Sequence, residues 1–301
     1  MKEKEFIQII KQELNSKFIG DDCAYLKDLG IVVTQDSLVE DVHFSLAYMT
    51  AYELGYKSAM VNISDIAASG AKPLYLTVAL SLPKDISSTF VKEFYRGLKE
   101  ASKNVEIVGG DITGSDKVFV SVTAIGSDKG RRISSRRNAK IGQKIVISGN
   151  HGSSSVGLKL LQNGNLDKNN KFIKAHLMPN AQLEFSEKIS KNISYDYAMM
   201  DTSDGLADAL FALSEESDVK LAIDFEKIPH EKDLEQFENW QNEVLFGGED
   251  YGIVACIDNP SADMQIIGEV KEGNGIEINC CGKIKNLTRV DVEENLYNHF
   301  K

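Results

Sequence analysis

Cysteine is scarce in this chain, with four in 301 residues. Cys23, Cys256, Cys280 and Cys281 form no C-x-x-C pair and no regular spacing, which argues against a zinc-finger-like site and the disulfide framework of a small secreted domain. A reducing cytosol is the expected setting. Long apolar runs are missing too: nothing approaches the roughly 20 apolar residues of a membrane-spanning helix. The N-terminal MKEKEFIQIIKQEL alternates charge with apolar residues, unlike the uninterrupted core of a signal peptide. A soluble, cytoplasmic protein with no membrane partner is therefore expected. Positive charge is in deficit, and the formal net charge of −11 argues against broad nucleic-acid binding while leaving metals and small substrates open. Also absent are GxxxxGK(S/T), a GxGxxG after a strand, and the HRD and DFG set of protein kinases, so the common nucleotide-binding folds are disfavoured. There is no low-complexity tract and no strict short repeat.

What the chain has is length and oddly placed acids. At 301 residues it exceeds the usual single domain, so two domains are expected. Six segments set Asp or Glu beside Gly, Ser or Thr with apolar residues on at least one flank: FIGDDCAYL (18–26), VVTQDSLVEDVHF (32–44), VNISDIAASGA (61–71), EIVGGDITG (106–114), MMDTSDGLADAL (199–210) and LFGGEDYGIVAC (245–256). Surface acids ordinarily belong to polar faces.

Periodicity predicts an amphipathic helix over 3–14, with Phe6, Ile9, Ile10 and Leu14 on one side, and a β-branched strand ending at Asp36. A helix from Tyr52 to Ser69 puts Asp65 on an inward, small-residue face and closes at Gly70. A strand at 74–82, a helix at 88–103 and two further strands complete an α/β or α+β half. The basic, polar segment 127–143 reads as the connection to a second α/β half: a strand at KIVISG, helices at GSSSVGLKLLQ and 180–193, a strand turning into a helix through YAMMDTSDGLADAL, a strand at VKLAIDF, and late strands at EDYGIVACI and ADMQIIGEV. The expected domains are residues 1–136 and 137–301.

Each acidic segment has a plain reading as a helix cap or turn; Asp204 in TSDGL could simply satisfy free amides at a helix start. Six recurrences at strand ends and helix starts suggest convergence. Two carboxylates about 4 Å apart repel by roughly 4 kcal/mol at an effective dielectric near 20, so several converging would take up protons or cations. Oxygen ligands without a Cys or His cluster suit Mg²⁺ over zinc or copper, and Mg²⁺ held by few carboxylates commonly bridges phosphates, which points to a nucleotide. NHGSSSVGL (150–158) could cradle phosphate at a helix start or be an ordinary serine-rich cap. Arg131, Arg132, Arg136 and Arg137 could pair with phosphate or line a solvated linker. His43 is a packed histidine or a substrate contact.

In this order, GDDCA, TQDSLVEDVHF, KSAMVNISDIAASGAKPLYLTVALSLP, VGGDIT, MDTSDGLADAL and FGGEDYGIVACI, with the C-terminal LYNHF, resemble the thiamine-monophosphate kinase family. That family sits in the superfamily of aminoimidazole ribonucleotide synthetase and selenophosphate synthetase. The resemblance implies a two-domain fold of that superfamily, its N-terminal sheet pairing across a homodimer, and an enzyme that uses ATP to turn thiamine monophosphate into thiamine diphosphate by direct in-line transfer. It implies Mg²⁺ ligands at Asp22, Thr34, Gln35, Asp36, Asp65, Asp111, Asp201 and Asp204, with Asp111 and Asp204 carrying the catalysis. ATP contacts follow at Tyr95, Arg136 and Ser203, and substrate contacts at His43, Glu249 and Tyr297. Gln35 departs from the family's usual second threonine, and Gly252 from its usual glutamate. The alternatives are another ATP-dependent enzyme of the superfamily and a non-catalytic nucleotide or metal-binding module.

Overall fold

Two mixed sheets, one in each half of the chain, are joined through a buried central helix. The computed structural model describes residues 2–297; Met1, the Asn298–Phe300 part of LYNHF and Lys301 lie outside the described residues. The first half runs α1 (Lys2–Leu14), β1 (Ala24–Leu26), β2 (Ile31–Val39), α2 (Ala51–Ala68), β3 (Lys72–Leu82), α3 (Ser88–Ala101), β4 (Glu106–Gly114) and β5 (Phe119–Ser127). The second half runs β6 (Lys144–Ser148), α4 (Ser153–Gln162), α5 (Lys171–Leu177), α6 (Leu183–Asn192), β7 (Ala198–Asp201), α7 (Leu206–Ser217), β8 (Lys220–Asp224), α8 (Trp240–Phe246), β9 (Ile253–Ile257), β10 (Gln265–Lys271), β11 (Gly275–Cys280), β12 (Lys283–Leu287) and α9 (Arg289–Asn295). None of the described helices is long and apolar enough to cross a membrane.

The first sheet has the order β1-β2-β5-β3-β4, antiparallel except for the β3–β4 pair. Alternation sorts its side chains. Val32, Leu38, Leu76, Val78, Leu80, Val120, Val122 and Ala124 are buried in one core with α2 and α3. The opposite face carries Gln35, Ser37, Thr77, Ala79, Ser121 and Thr123, which share register rows. Edge strand β4 is exposed along nearly its whole length, with Val108 52% and Ile112 62% accessible. The apolar residues predicted on one side of α1, Phe6, Ile9, Ile10 and Leu14, are likewise exposed in the single chain.

The second sheet has the order β12-β11-β8-β10-β6-β9-β7. One of its faces packs on α7 through Ile145, Ile147, Val254, Leu206 and Leu210. The other buries Val146, Met199, Ile253 and Ala255 against Ile189 of α6 and Ala67 of α2. Helix α2 thus touches both halves, which explains why it is buried around most of its circumference. It starts at a capping box, where Thr50 Oγ1 accepts from Glu53 N at 3.2 Å and Glu53 Oε2 accepts from Thr50 N at 2.8 Å. It stops at Gly70, whose φ of +83° and close approach to Arg132 O leave no room for a Cβ.

A candidate active site of converging carboxylates

Four of the six acidic segments meet where the two halves join, and a fifth, LFGGEDYGIVAC, adjoins them. Asp22 lies in the loop before β1, Asp36 in β2, Asp65 in the last turn of α2, Asp201 at the end of β7, and Asp204 three residues on, just before α7. Oxygens of Asp22, Asp65 and Asp201 lie within 4.8 Å of one another, and Asp36 feels the charges of Asp204 and Asp22. The β2 pleat turns Thr34 and Asp36 to the same side. Thr34 Oγ1 donates to Asp65 Oδ2 at 2.6 Å, and the Asp36 amide donates to Asn62 Oδ1 of α2 at 2.9 Å. Asp201 is held on one side by Ser64 Oγ at 2.7 Å and on the other by Ser203 Oγ at 3.0 Å.

This concentration of negative charge shows in the acidities. Burial, followed by Asp204 and Asp22, pushes Asp36 up to about 6. Burial and then Asp22 push Asp201 up to about 7. Asp65 is driven well above the carboxylate range by burial, Asp36 and Asp201, and burial raises even Asp22 although Arg136 Nη2 sits 2.6 Å from its Oδ1. Carboxylates packed this closely need a compensating cation or protons. The donor set is all oxygen, from carboxylates and a hydroxyl, and therefore fits a hard divalent ion such as Mg²⁺ better than a thiophilic one.

Arg136 is the arginine of its segment that enters the site. Burial works against its charge, but Asp22 outweighs it and holds the guanidinium above its ordinary value. Its Nε is buried without a hydrogen-bond partner among the described residues. Arg131 is paired with Glu187, Arg132 with Asp196 and Arg137 with Glu216. Asp21, the other half of the Asp-Asp pair, anchors the segment by accepting from Arg136 N at 2.7 Å and from Ser135 Oγ at 2.9 Å.

A second constellation adjoins the first through the loop after α8. Glu249 and Tyr251 take left-handed φ values of 63° and 50°, an uncommon conformation for residues with side chains, and Glu249 N donates to Ser203 O at 2.6 Å. Glu249 Oε2 accepts from Lys57 Nζ at 3.0 Å, and Lys57, with a fully buried side chain, also donates to His176 O at 3.1 Å. Burial would raise Glu249, yet the Lys57 ammonium holds it below the usual range. His43 is near enough to add to that effect, and its Nδ1 accepts from Val39 N at 3.1 Å. Burial and then Lys57 push His176 down to about 3, so its ring is neutral. Asp250 resolves the reading of NHGSSSVGL: its carboxylate accepts from Gly152 N at 2.5 Å and Ser154 N at 2.8 Å. The amides at the start of α4 therefore cap onto protein, and the phosphate-cradle reading of that loop falls away.

Four expected site residues lie apart from this centre in the single chain. Gln35 projects from the opposite face of β2, where its Nε2 donates to Ser121 Oγ at 2.9 Å and its Oε1 accepts from Thr123 Oγ1 at 3.2 Å. Asp111 is exposed on β4. It shares a register row with Ala79, Ser121 and Ser37 and not with Asp36, and β4 stands three strand spacings, about 14 Å, from β2. Tyr95 is half-buried on α3, edge-on to Phe94 at 5.4 Å. Tyr297 is exposed just beyond α9. Sequence reasoning missed Lys57, His176, Ser64 and Asp21. Lys57 carried a usable signal, a cation three residues after Leu54 and four before Val61 on an otherwise apolar and small helix face.

Residues 20–127 match the family model described as AIR synthase related protein, N-terminal domain. The chain is 36% identical over 289 residues to the thiamine-monophosphate kinase of Aquifex aeolicus (strain VF5), covering 90% of this chain and 92% of that one. It is 33% identical over 307 residues to the thiamine-monophosphate kinase of Bacillus subtilis (strain 168), with coverage of 94% and 93%. A solved structure of AaThiL complexed with AMPPCP and TMP superposes with a TM-score of 0.84 at 35% identity, over 92% of this chain and 93% of that one. The chain from a HypE–HypF complex, at 21% identity and a TM-score of 0.75 over 94% of this chain and 98% of that one, shares the fold.

Proposed function

The chain belongs to the thiamine-monophosphate kinase family, and from that premise we propose that it transfers the γ-phosphoryl group of ATP to thiamine monophosphate, releasing ADP and thiamine diphosphate. The observation that carries this reading is the oxygen-lined cage of Asp22, Thr34, Asp36, Asp65, Asp201 and Asp204 beside an Arg136 whose buried Nε has no partner among the described residues. A phosphate oxygen is an acceptor that would complete that guanidinium. In this proposal those six residues hold Mg²⁺. When bound, Mg²⁺ would neutralise phosphate charge and fix the line of attack.

The chain's own residues supply binding and alignment. Arg136 and Ser203 grip the triphosphate, and Asp204 and Asp111 complete the charge arrangement. His43, Glu249 and Tyr297 hold the thiamine phosphate, with Glu249 offering an ionised carboxylate to a cationic substrate. No strong general base is required, because a phosphate nucleophile is already largely ionised near neutral pH, and the transfer is direct and in line.

Asp111, Gln35 and Tyr95 enter the proposal through a homodimer. Exposed Val108 and Ile112 on an unpaired edge strand are the kind of surface that another chain covers, and a twofold mate would let Asp111 and Tyr95 serve the neighbouring cage. We divide the two domains at 136/137, within the segment that connects β5 to β6, and place the reaction in the cytoplasm, in keeping with four free thiols.

The test is to incubate the purified protein with ATP, Mg²⁺ and thiamine monophosphate and separate the products. Equal amounts of ADP and thiamine diphosphate, absent with EDTA, are expected. ADP alone would move the function to another enzyme of the superfamily. Thermal stabilisation by ATP and Mg²⁺ with no ADP over hours would leave a binding module.

A further inference from the structure

The pair Cys280–Cys281 takes no part in the proposed reaction, yet it is built in an unusual way. β11 pairs with β12 so that Cys280 faces Lys283, leaving a two-residue turn of Cys281 and Gly282. Both turn residues are left-handed, with φ of 50° and 77°, as a type I′ hairpin turn requires. Its first position ordinarily takes Asn, Asp or Gly, and a cysteine there is conformationally costly. Consecutive residues of a strand point to opposite faces, whereas here the turn swings the Cys281 side chain round to the side of Cys280.

What the two thiols meet is a carboxylate. Glu226 follows β8, the parallel neighbour of β11, and its Oε1 accepts from Cys281 N at 2.5 Å. The sulfurs of Cys280 and Cys281 and a carboxylate oxygen of Glu226 all lie within 4.8 Å of one another. Gln241 Nε2 is 3.8 Å from Cys280 Sγ. Cys281 is exposed and Cys280 half-buried, so an ion can reach them from solvent.

We propose that Glu226, Cys280 and Cys281 form a surface site for one thiophilic divalent cation of the Zn²⁺ class, separate from the carboxylate cage. Two thiolates and one carboxylate are three of the four positions of a tetrahedral zinc site, and water takes the fourth. Zn–S bonds of about 2.3 Å and Zn–O bonds of about 2.0 Å put ligand atoms roughly 3.5–3.8 Å apart, which small side-chain rotations at a solvent-facing turn can reach. Sulfur ligands select against Mg²⁺, so the two sites divide cations by donor type. They are also far apart: β11 and β7, which bears Asp201, are separated by five strand spacings of the second sheet, about 24 Å. Thiols ligate as thiolates, so binding releases their protons to solvent.

The full-length protein, freed of metal by EDTA, reduced with a phosphine and kept in excess Mg²⁺ to occupy the cage, is titrated with Co²⁺ and then Zn²⁺. The expected result is one equivalent of Co²⁺ with a strong near-ultraviolet sulfur-to-cobalt band, bleached by one equivalent of Zn²⁺. Cys280→Ser and Cys281→Ser should each cut the band by about half and weaken Co²⁺ binding at least about tenfold, the scale of losses seen even for outer-sphere partners. Glu226→Gln should weaken binding and leave the band per bound metal intact. All three variants should retain Mg²⁺-dependent turnover of ATP and thiamine monophosphate. No sulfur-to-cobalt band in the unaltered protein overturns the site, as does an undiminished band in the Cys280→Ser/Cys281→Ser double variant, which would assign the sulfur to Cys23 or Cys256.

Discussion

Asp65 shows how one residue can serve function and oppose stability. Its carboxylate is buried, crowded by Asp36 and Asp201, and relieved within the chain by the Thr34 hydroxyl. Asp65→Asn keeps the shape and removes a charge, so it should stabilise the metal-free protein by about 1–3 kcal/mol, the scale of one close like-charge contact at intermediate dielectric. The same variant should lose at least about a hundredfold in kcat by losing a preorganised charge. Differential scanning fluorimetry in EDTA beside product chromatography checks both signs; a destabilised Asp65→Asn would show that the cage is not under charge strain. Lys57 carries the opposite logic. Lys57→Met leaves Glu249 without its cation in a partly desolvated pocket, which costs about 3 kcal/mol by the scale of broken buried pairs. Because Glu249 is proposed to meet the thiamine phosphate, KM for that substrate should rise more than kcat falls, while KM for ATP holds. A kcat loss at constant KM would make Lys57 part of the transfer step itself.

The element that holds the site is α2, and its seat on α3 depends on two glycines. A Cβ at Gly55 would come 1.9 Å from Phe94 O, and one at Gly97 would come 1.9 Å from Tyr52 O. Each helix therefore presses backbone to backbone on the other, and Gly55→Ala must push them apart. The expected loss is roughly 1–3 kcal/mol from overpacking, with a further fall in turnover because the displaced helix carries Asp65 and Lys57. Unfolding curves and kinetics on Gly55→Ala read both effects; an unchanged melting temperature would mean that the helix pair relaxes freely. Helices of this length were legible in the sequence, because α2 and α3 run long enough for spacings of three and four to repeat. The seven-residue α5 and α8 offer barely two turns and were not read. The β11–β12 hairpin was missed because Cys-Gly is not turn chemistry one looks for, and β1 because three residues carry no period. Strand β4 was read as a strand, but alternation alone could not tell that Val108 and Ile112 would face outward.

At the scale of the whole molecule, the acidic segments announced a site without saying how it closes. Asp22, Asp36, Asp65, Asp201 and Asp204 converge within one chain because β2, α2 and β7 abut at the junction of the halves. Asp111 does not join them there, since the register that buries Val78 and Val122 turns Asp111 to the other face of the sheet. Sequence spacing carries no information about sheet face across a four-strand order, or about a second copy. If the cage is completed across a homodimer, Asp111 and Asp204 of one active site come from different chains. Asp111→Asn and Asp204→Asn should then each be nearly inactive alone. Mixed and allowed to exchange subunits, they should regain about a quarter of full activity, because half of the random pairs are mixed and each mixed pair has one intact site of two. Were both residues to act within one chain, every site in every pair would carry one lesion, and mixing would restore nothing. The same exchange run on a charged edge variant, Ile112→Asp, should yield monomers by sedimentation and no rescue, because the surface that brings Asp111 to its partner is the one that the charge disrupts.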